Sequence, residues 1–324
     1  MLAFLGRRLI QSVAVLLVMS FLVFLGIFAI GNPVDVMIDP AATPLERETA
    51  IRALGLDLPW YQQYFAFLER AVAGDLGRSF VYNEPALDLI LTRLPATLEL
   101  AVAAMVMAVA LGIPLGLWAG LHPGSWLDRT IMAGSIFLFS MPTFWVGIIL
   151  IMLSSVWLGW LPSGDRGETV SILGVPFSFL TWDGLTHLFL PAFNLALFKL
   201  ALVLRLVRAG VQEHMSSDYV AFARAKGVSE RRIIGRHVLR NILIPVITVL
   251  GLEFGNLLAF AVVTETIFAW PGMGNLLIRS IQVLDRPVVV AYLMLTVVIF
   301  VLINLFVDLA YSALDPRIRV GGRA

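Results

Sequence analysis

Six apolar runs, each long enough to cross a bilayer, constrain this chain more than any other feature. They cover roughly residues 9–30, 96–121, 131–158, 188–207, 242–265 and 288–311. A spanning helix needs about 20 apolar residues. Inside hydrocarbon no water satisfies a backbone N–H or C=O, so each run must pair its own backbone groups and is helical. Composition agrees: 59% of residues are hydrophobic and 14% charged, against about 45–50% and about 25% in soluble domains. The expected fold is an all-α membrane protein. The first run follows a short basic start and exceeds the ~7–15 residues of a signal-peptide core, so it is expected to stay as a membrane helix.

The net charge of +1 says little, but the placement of Lys and Arg along the chain says more. Six crossings put both termini on one side. That side would carry Arg7, Arg8, Arg129, Arg205, Arg208, Arg317, Arg319, Arg323 and a basic cluster between the fourth and fifth runs. Asp35, Asp39, Glu46, Glu48, Asp57, Glu69, Asp75, Glu84 and Asp88 all fall between the first and second runs, on the other side. The bias of basic residues to the cytoplasm places both termini inside.

The chain thus divides into a start and first span (1–30), an outer segment (31–95), a core of five spans (96–311) and a tail (312–324). In the outer segment, Thr43 or Pro44 starts a short helix through Glu46 to Leu54, closed by Gly55. Trp60, Tyr64, Phe67 and Leu68 recur at helical spacing, which predicts a second helix over 60–72 with Gly74 as its stop. This helical cap either shields the first span or meets a partner outside. In the third run Pro142 predicts a kink, serving packing or lining a pathway. Gly112, Gly116 and Gly120 in the second run predict close helix packing. Phe268 to Gly274 reads as an interfacial turn.

Several chemistries are missing. No Gly-rich loop ending in Gly-Lys-Ser/Thr exists to cradle ATP, and there is no His-Glu-x-x-His or Gly-x-Ser-x-Gly pattern. His122, His187, His214 and His237 are scattered, which fits interfacial residues better than metal ligands. Cysteine is absent, which removes disulfides and thiol chemistry. No catalytic residue, cofactor site or metal site is expected in this chain.

The long basic stretch, residues 216–245, is organised rather than loose. Ser216 or Ser217 caps a helix over 219–226, with Asp218 in its first turn. Gly227 ends it as a left-handed cap. Ser229 caps a second helix, with Glu230 just inside, that carries Arg231, Arg232, Arg236 and Arg240 ahead of Pro245. Ala221, Ala223, Ala225 and Gly227 make the tip small enough to enter a partner's groove. The arginines either touch anionic lipid or ring such a partner with salt bridges. Nucleic acid is not the expected partner: the cluster sits between spans and lacks interleaved aromatics.

At these residues the chain resembles the permeases of ABC importers, and most of all their dipeptide/oligopeptide class. The residues that carry the likeness are Ala223-Arg224-Ala225-Lys226-Gly227, the following Ser-Glu-Arg-Arg, and Arg240-Asn241 ahead of Pro245. The general family pattern is Glu-Ala-Ala, three residues, then Gly; Ala221, Phe222 and Ala223 hold its first three positions, so only the last alanine and Gly227 match. Arg93 to Leu100, Gly74 to Phe80, Ser140-Met141-Pro142, Glu265 to Gly272 and Leu314 to Arg317 are also similar to that class. The resemblance implies a type I importer permease fold: six transmembrane helices with a helical periplasmic segment between helices 1 and 2, in a bacterial inner membrane. It implies a second, similar permease, two ABC ATPase subunits that bind ATP and Mg, and a substrate-binding protein outside. It assigns ATPase coupling to Tyr219, Ala221, Phe222, Ala223, Arg224, Ala225, Lys226, Gly227, Ser229, Arg231 and Arg232, within a loop at 211–241. Peptides are the implied cargo, with glutathione, a metal chelate or an oligosaccharide as alternatives.

One feature departs from that pattern. Lys199 and Glu253 lie deep inside the fourth and fifth runs, where the family more often carries a small or apolar residue and Gln. A charge at such depth costs at least about 2.5–3.5 kcal/mol and usually pairs or faces water. The two are expected to pair across their helices, lining a pathway or locking the helices together. Pro142, Asn256 and Glu265 are further candidates for a pathway or gate. A proton-coupled carrier using Lys199, Glu253 and Glu265 is the alternative class, although such carriers usually show internal repeats and none is seen.

Overall fold

The computed structural model describes residues 2–29, 43–53 and 57–314. The stop at Gly55 and the tail arginines Arg317, Arg319 and Arg323 lie outside the described residues. The chain forms two compact units, one of residues 1–94 and 272–302 and one of residues 95–271 and 303–324.

In the first unit, α1 (Leu2–Ala29) is the first apolar run. Helix α2 (Pro44–Ala53) opens with a capping box. Thr43 donates to the Glu46 carboxylate from its N–H at 2.8 Å and its hydroxyl at 2.9 Å. Those bonds hold the Glu46 carboxyl below its usual range. Helix α3 covers Trp60–Val72, as the aromatic spacing predicts. It lays Tyr64 between Phe21 and Phe24 of α1, each ring pair 5.4 Å apart and edge-on. The Tyr64 hydroxyl meets Ser20 Oγ at 2.9 Å. Of the two uses open to this cap, contact with the first span is therefore observed. Further along, Ser79 Oγ and the Phe80 N–H donate to Asp285, which pins the 74–85 loop beside the last long helix.

Among the described residues, five helices are long and apolar enough to span, or six if one bent pair counts as a single span. Helix α4 (Ala86–Leu121) starts ten residues ahead of its apolar run and has 36 residues, about 54 Å at 1.5 Å per residue. The third run is not one kinked helix. It breaks into α5 (Trp126–Ser140) and α6 (Thr143–Ile151), the latter continued by a π-helical turn, Met152–Trp157, and the halves meet at 106°. Proline accounts for the size of the break. Pro142 offers no N–H and drives Met141 out of the helical region, to φ −88° and ψ 142°. Pro142 then caps α6, its carbonyl accepting from Trp145 N at 3.1 Å.

After this pair comes a feature absent from the all-α expectation, a two-stranded hairpin of β1 (Val170–Ile172) and β2 (Val175–Phe177). Leu173 and Gly174 turn it with φ of 52° and 83°, the mirror-image turn that suits strand twist. Helix α7 (Trp182–Met215) follows, then α8 (Asp218–Ala225), α9 (Glu230–Arg232), a π turn over Ile233–Val238, α10 (Leu239–Ile267), α11 (Met273–Gln282) and α12 (Arg286–Leu314).

The glycine stripe of α4 lies against a valine ridge of α7. A Cβ on Gly112 would stand 2.8 Å from Val203 Cγ1, one on Gly116 2.7 Å from the Leu204 carbonyl oxygen, and one on Gly120 2.6 Å from Val211 Cβ. No rotamer change relieves contact with backbone or Cβ atoms, so the helices approach this closely only with glycine there. Gly116→Ala is expected to destabilise the chain by about 1–3 kcal/mol, the usual cost of overpacking. In detergent its melting temperature should fall, while Gly134→Ala, with nothing within 4 Å of the added carbon, should leave it unchanged.

Candidate functional site: the basic helix pair and the intramembrane charges

Helix α8 starts where the serines predict, though by a different bond. Ser217 holds the cap position at ψ 152° but its side chain caps no N–H; its hydroxyl turns back to the His214 carbonyl. The helix closes on Gly227 at φ +76°. Val228 N donates to Ala223 O at 3.1 Å and Gly227 N to Arg224 O at 2.9 Å, the paired bonds of a Schellman ending. A Cβ added at Gly227 would meet nothing within 4 Å. Glycine there answers to backbone conformation alone, and the space beside it is open.

Two faces of α8 differ sharply. Val220 and Ala223 are buried in a cluster with Val203, Val207, Val211, Ile233, Val238, Ile242 and Val246. Tyr219, Ala221, Phe222, Arg224, Ala225, Lys226 and Gly227 are exposed, Phe222 by 62%. Lys226 Nζ sits 4.4 Å above the Phe222 ring. Arg224 crosses the Gly227 elbow to Glu230, Nε to Oε1 at 2.6 Å, which raises the arginine's pKa further. Ser229 begins α9 without a side-chain cap bond, and Arg231, Arg232, Arg236 and Arg240 are all exposed. The second helix of the pair does not end ahead of the fifth run. It passes through the π turn into α10 with Pro245 inside the helix, so the arginines sit on the span's own extension.

Among the candidates within the spans, the structure brings Lys199 and Glu253 together as an ion pair between α7 and α10. Asn256 stands one turn along, its Nδ2 3.5 Å from Glu253 Oε1. Pro142 is exposed at the α5–α6 break. Glu265 does not join this group. It is fully buried, accepts the Thr97 hydroxyl at 2.6 Å, and its carbonyl takes Trp270 N at 2.8 Å. The Trp270 indole donates to Ala96 O at 2.9 Å, so Glu265 belongs to a packed junction between α4 and the end of α10.

Family models match along nearly the whole chain. Residues 1–101 match the N-terminal part of the binding-protein-dependent transport system membrane component, and residues 112–320 match the binding-protein-dependent transport system inner membrane component. The chain belongs to this permease family. It is 41% identical to the di/tripeptide transport system permease protein DppB of Pseudomonas aeruginosa (strain UCBPP-PA14), over 98% of this chain and 99% of the relative. It is 38% identical to the glutathione transport system permease protein GsiC of Escherichia coli O6:H1 (strain CFT073), again over 98% and 99%. In fold it is similar to a chain of the MetNI methionine ABC transporter in an inward-facing conformation, with a TM-score of 0.55 at 17% identity, covering 72% of this chain and 99% of that one. The permease is thus a membrane component of a binding-protein-dependent ABC importer, in a family that works with ATPase and binding-protein partners.

Two further ion pairs of this permease carry structural weight that sequence reasoning missed. Glu99 accepts from Arg166 Nε at 3.1 Å, from Ser178 N at 2.7 Å, from Ser178 Oγ at 2.8 Å and from Phe179 N at 2.9 Å, which ties the hairpin loop to α4. Asp128 accepts from Arg208 at 2.7 and 3.0 Å and from Gly124 N at 2.9 Å, which ties the start of α5 to α7. A carboxylate inside an apolar run was the signal for Glu99. Ser125 three residues ahead of Asp128 was the signal for the other, since Ser125 Oγ caps the Asp128 N–H at 3.1 Å.

The Lys199–Glu253 contact makes a coupled pair of substitutions. Glu253→Gln alone leaves a lysine charge at mid-depth without its partner. It should lower assembly and thermal stability more than Glu253→Gln together with Lys199→Met. A double-mutant cycle should give a coupling of at least about 0.5 kcal/mol; additive losses would count against the pair.

Proposed function

We propose that this chain forms half of the translocation pore of an ATP-driven importer of di- or oligopeptides. Full-length likeness to a di/tripeptide permease at 41% identity is the observation that carries the reading. In this reading a second, similar permease supplies the other half, and two ATPase subunits bind ATP and Mg beneath the membrane. A binding protein delivers cargo from outside, and both termini face the cytoplasm. Glutathione, itself a tripeptide, is the second cargo reading, favoured by the 38% identical glutathione permease.

Coupling falls to residues 211–241. The exposed ridge of Tyr219, Ala221, Phe222, Ala225 and Gly227 enters a groove of one ATPase, with Arg224, Lys226, Ser229, Arg231 and Arg232 around its rim. Val220 and Ala223 anchor the same helix to the valine cluster. When the ATPases close, the elbow moves as a unit and presses on α7 and on the extension of α10. The pore then shifts between two packings, opening alternately to each side. The chain needs no phosphate loop, because hydrolysis happens in its neighbours.

Reconstitution of the complete importer in liposomes tests the reading. Labelled dipeptide should enter only with ATP and the binding protein; uptake indifferent to ATP would sink it. The coupling role is tested at Gly227. Gly227→Ala and Gly227→Leu share the left-handed backbone penalty of about 1–2 kcal/mol and differ only in bulk. Since this chain leaves the space open, Gly227→Leu should uncouple hydrolysis from uptake far more than Gly227→Ala. Equal effects would refute a partner seated at the elbow.

A further inference from the structure

Lys199 and Glu253 occupy matching depths. Lys199 lies about 25 Å along α7 from its start, and Glu253 about 21 Å from the end of α10, at 1.5 Å per residue. Each is near the middle of a helix that outspans the hydrocarbon core. This ion pair is open on its acidic side. The side chains of Lys199 and Glu253 are 14% and 25% exposed; in the other two pairs the carboxylates are closed, at 2% for Glu99 and 3% for Asp128, while Arg166 and Arg208 are 10% and 25% exposed. Asn256 is exposed beside them, and Leu252 and Phe260 are exposed on the same stretch of α10. A charge turned to lipid at this depth is costly, so the open side of the pair is turned to water or to protein. Apolar walls with a few convergent polar groups are also how small-molecule sites are built.

We propose that Lys199, Glu253 and Asn256 form a station for the zwitterionic ends of a peptide in the pathway. Lys199 takes the carboxylate, Glu253 takes the ammonium group, and the Asn256 amide bonds the peptide unit between them. This rests on the peptide reading above. The chemistry follows from charge balance. Opening the pair to admit a zwitterion exchanges one charge-assisted contact for two of the same kind and leaves no net charge at mid-depth. A lone ion would leave one partner uncompensated, and an uncharged solute would have to part the pair with nothing in return. The station therefore favours cargo bearing both charges and holds it loosely enough to leave.

The absence of cysteine from this chain makes a direct test. Asn256→Cys and Ala259→Cys, both at exposed positions of α10, are each placed in the complete importer with its partner permease, ATPases and binding protein in liposomes. Uptake of a labelled dipeptide by the unaltered complex is measured first, which tests the cargo reading separately. A small, charged, water-soluble thiol reagent should then label this chain at one or both positions. Labelling should slow severalfold with dipeptide held in the complex and should not slow with an uncharged sugar. No labelling at either position would mean that the face is covered by the partner permease or by lipid, and would overturn the station. So would labelling that dipeptide fails to slow. If the unaltered complex takes up no dipeptide, the cargo reading falls instead, and reactivity at the two positions still decides whether this face lines water.

Discussion

The glycine stripe of α4 pressed against the valine ridge of α7 is the contact on which the second unit depends. Lipid tails are as apolar as valine, so burial from water does not hold two helices together within a bilayer. Close van der Waals approach does, and small residues permit it. Gly112, Gly116 and Gly120 supply that approach over more than two turns. The ridge they meet does not stop at the membrane. Val203, Val207 and Val211 continue into the cluster that holds Val220 and Ala223 of α8 and Ile233, Val238 and Ile242 of the α10 extension. Packing thus runs from α8 to α7 directly and on to α4 through the glycines. Packed interiors of this kind switch between arrangements and do not deform smoothly.

What the sequence disclosed and what it hid divide along physical lines. Most of the apolar runs, the α3 aromatics and the Gly227 stop are local signals, and each falls in the element that periodicity or backbone chemistry predicts. The start of α4 at Ala86, ten residues early, was hidden because helices this long project past the apolar stretch into polar sequence. Pro142 announced a disturbance but not its size. One missing N–H predicts a kink; with the residue before it also held extended, the run breaks through 106°. The hairpin at Val170 to Phe177 was lost among six helices, although Leu173-Gly174 between β-branched residues is a legible turn. The surroundings of Glu265 were hidden for a different reason. Sequence places an acid near a span's end, but only the fold shows that Thr97 and Trp270 close around it.

Three ion pairs between elements hold α7 and the loop leading into it, and they differ in how deeply the carboxylate is buried. The Asp128 and Glu99 carboxylates are buried against their arginines, and each also accepts backbone N–H bonds. Removing the arginine there strands a buried carboxylate, which typically costs about 3–5 kcal/mol, so these pairs fix the two ends of the element in one arrangement. Lys199 and Glu253, between them, carry no such backbone bonds among those described and keep part of their surface open. A span clamped at both ends and only latched at its middle has one place where polar partners can change without loss of the fold. If a zwitterionic cargo passes along this face, as proposed above, that is the place where such an exchange costs least.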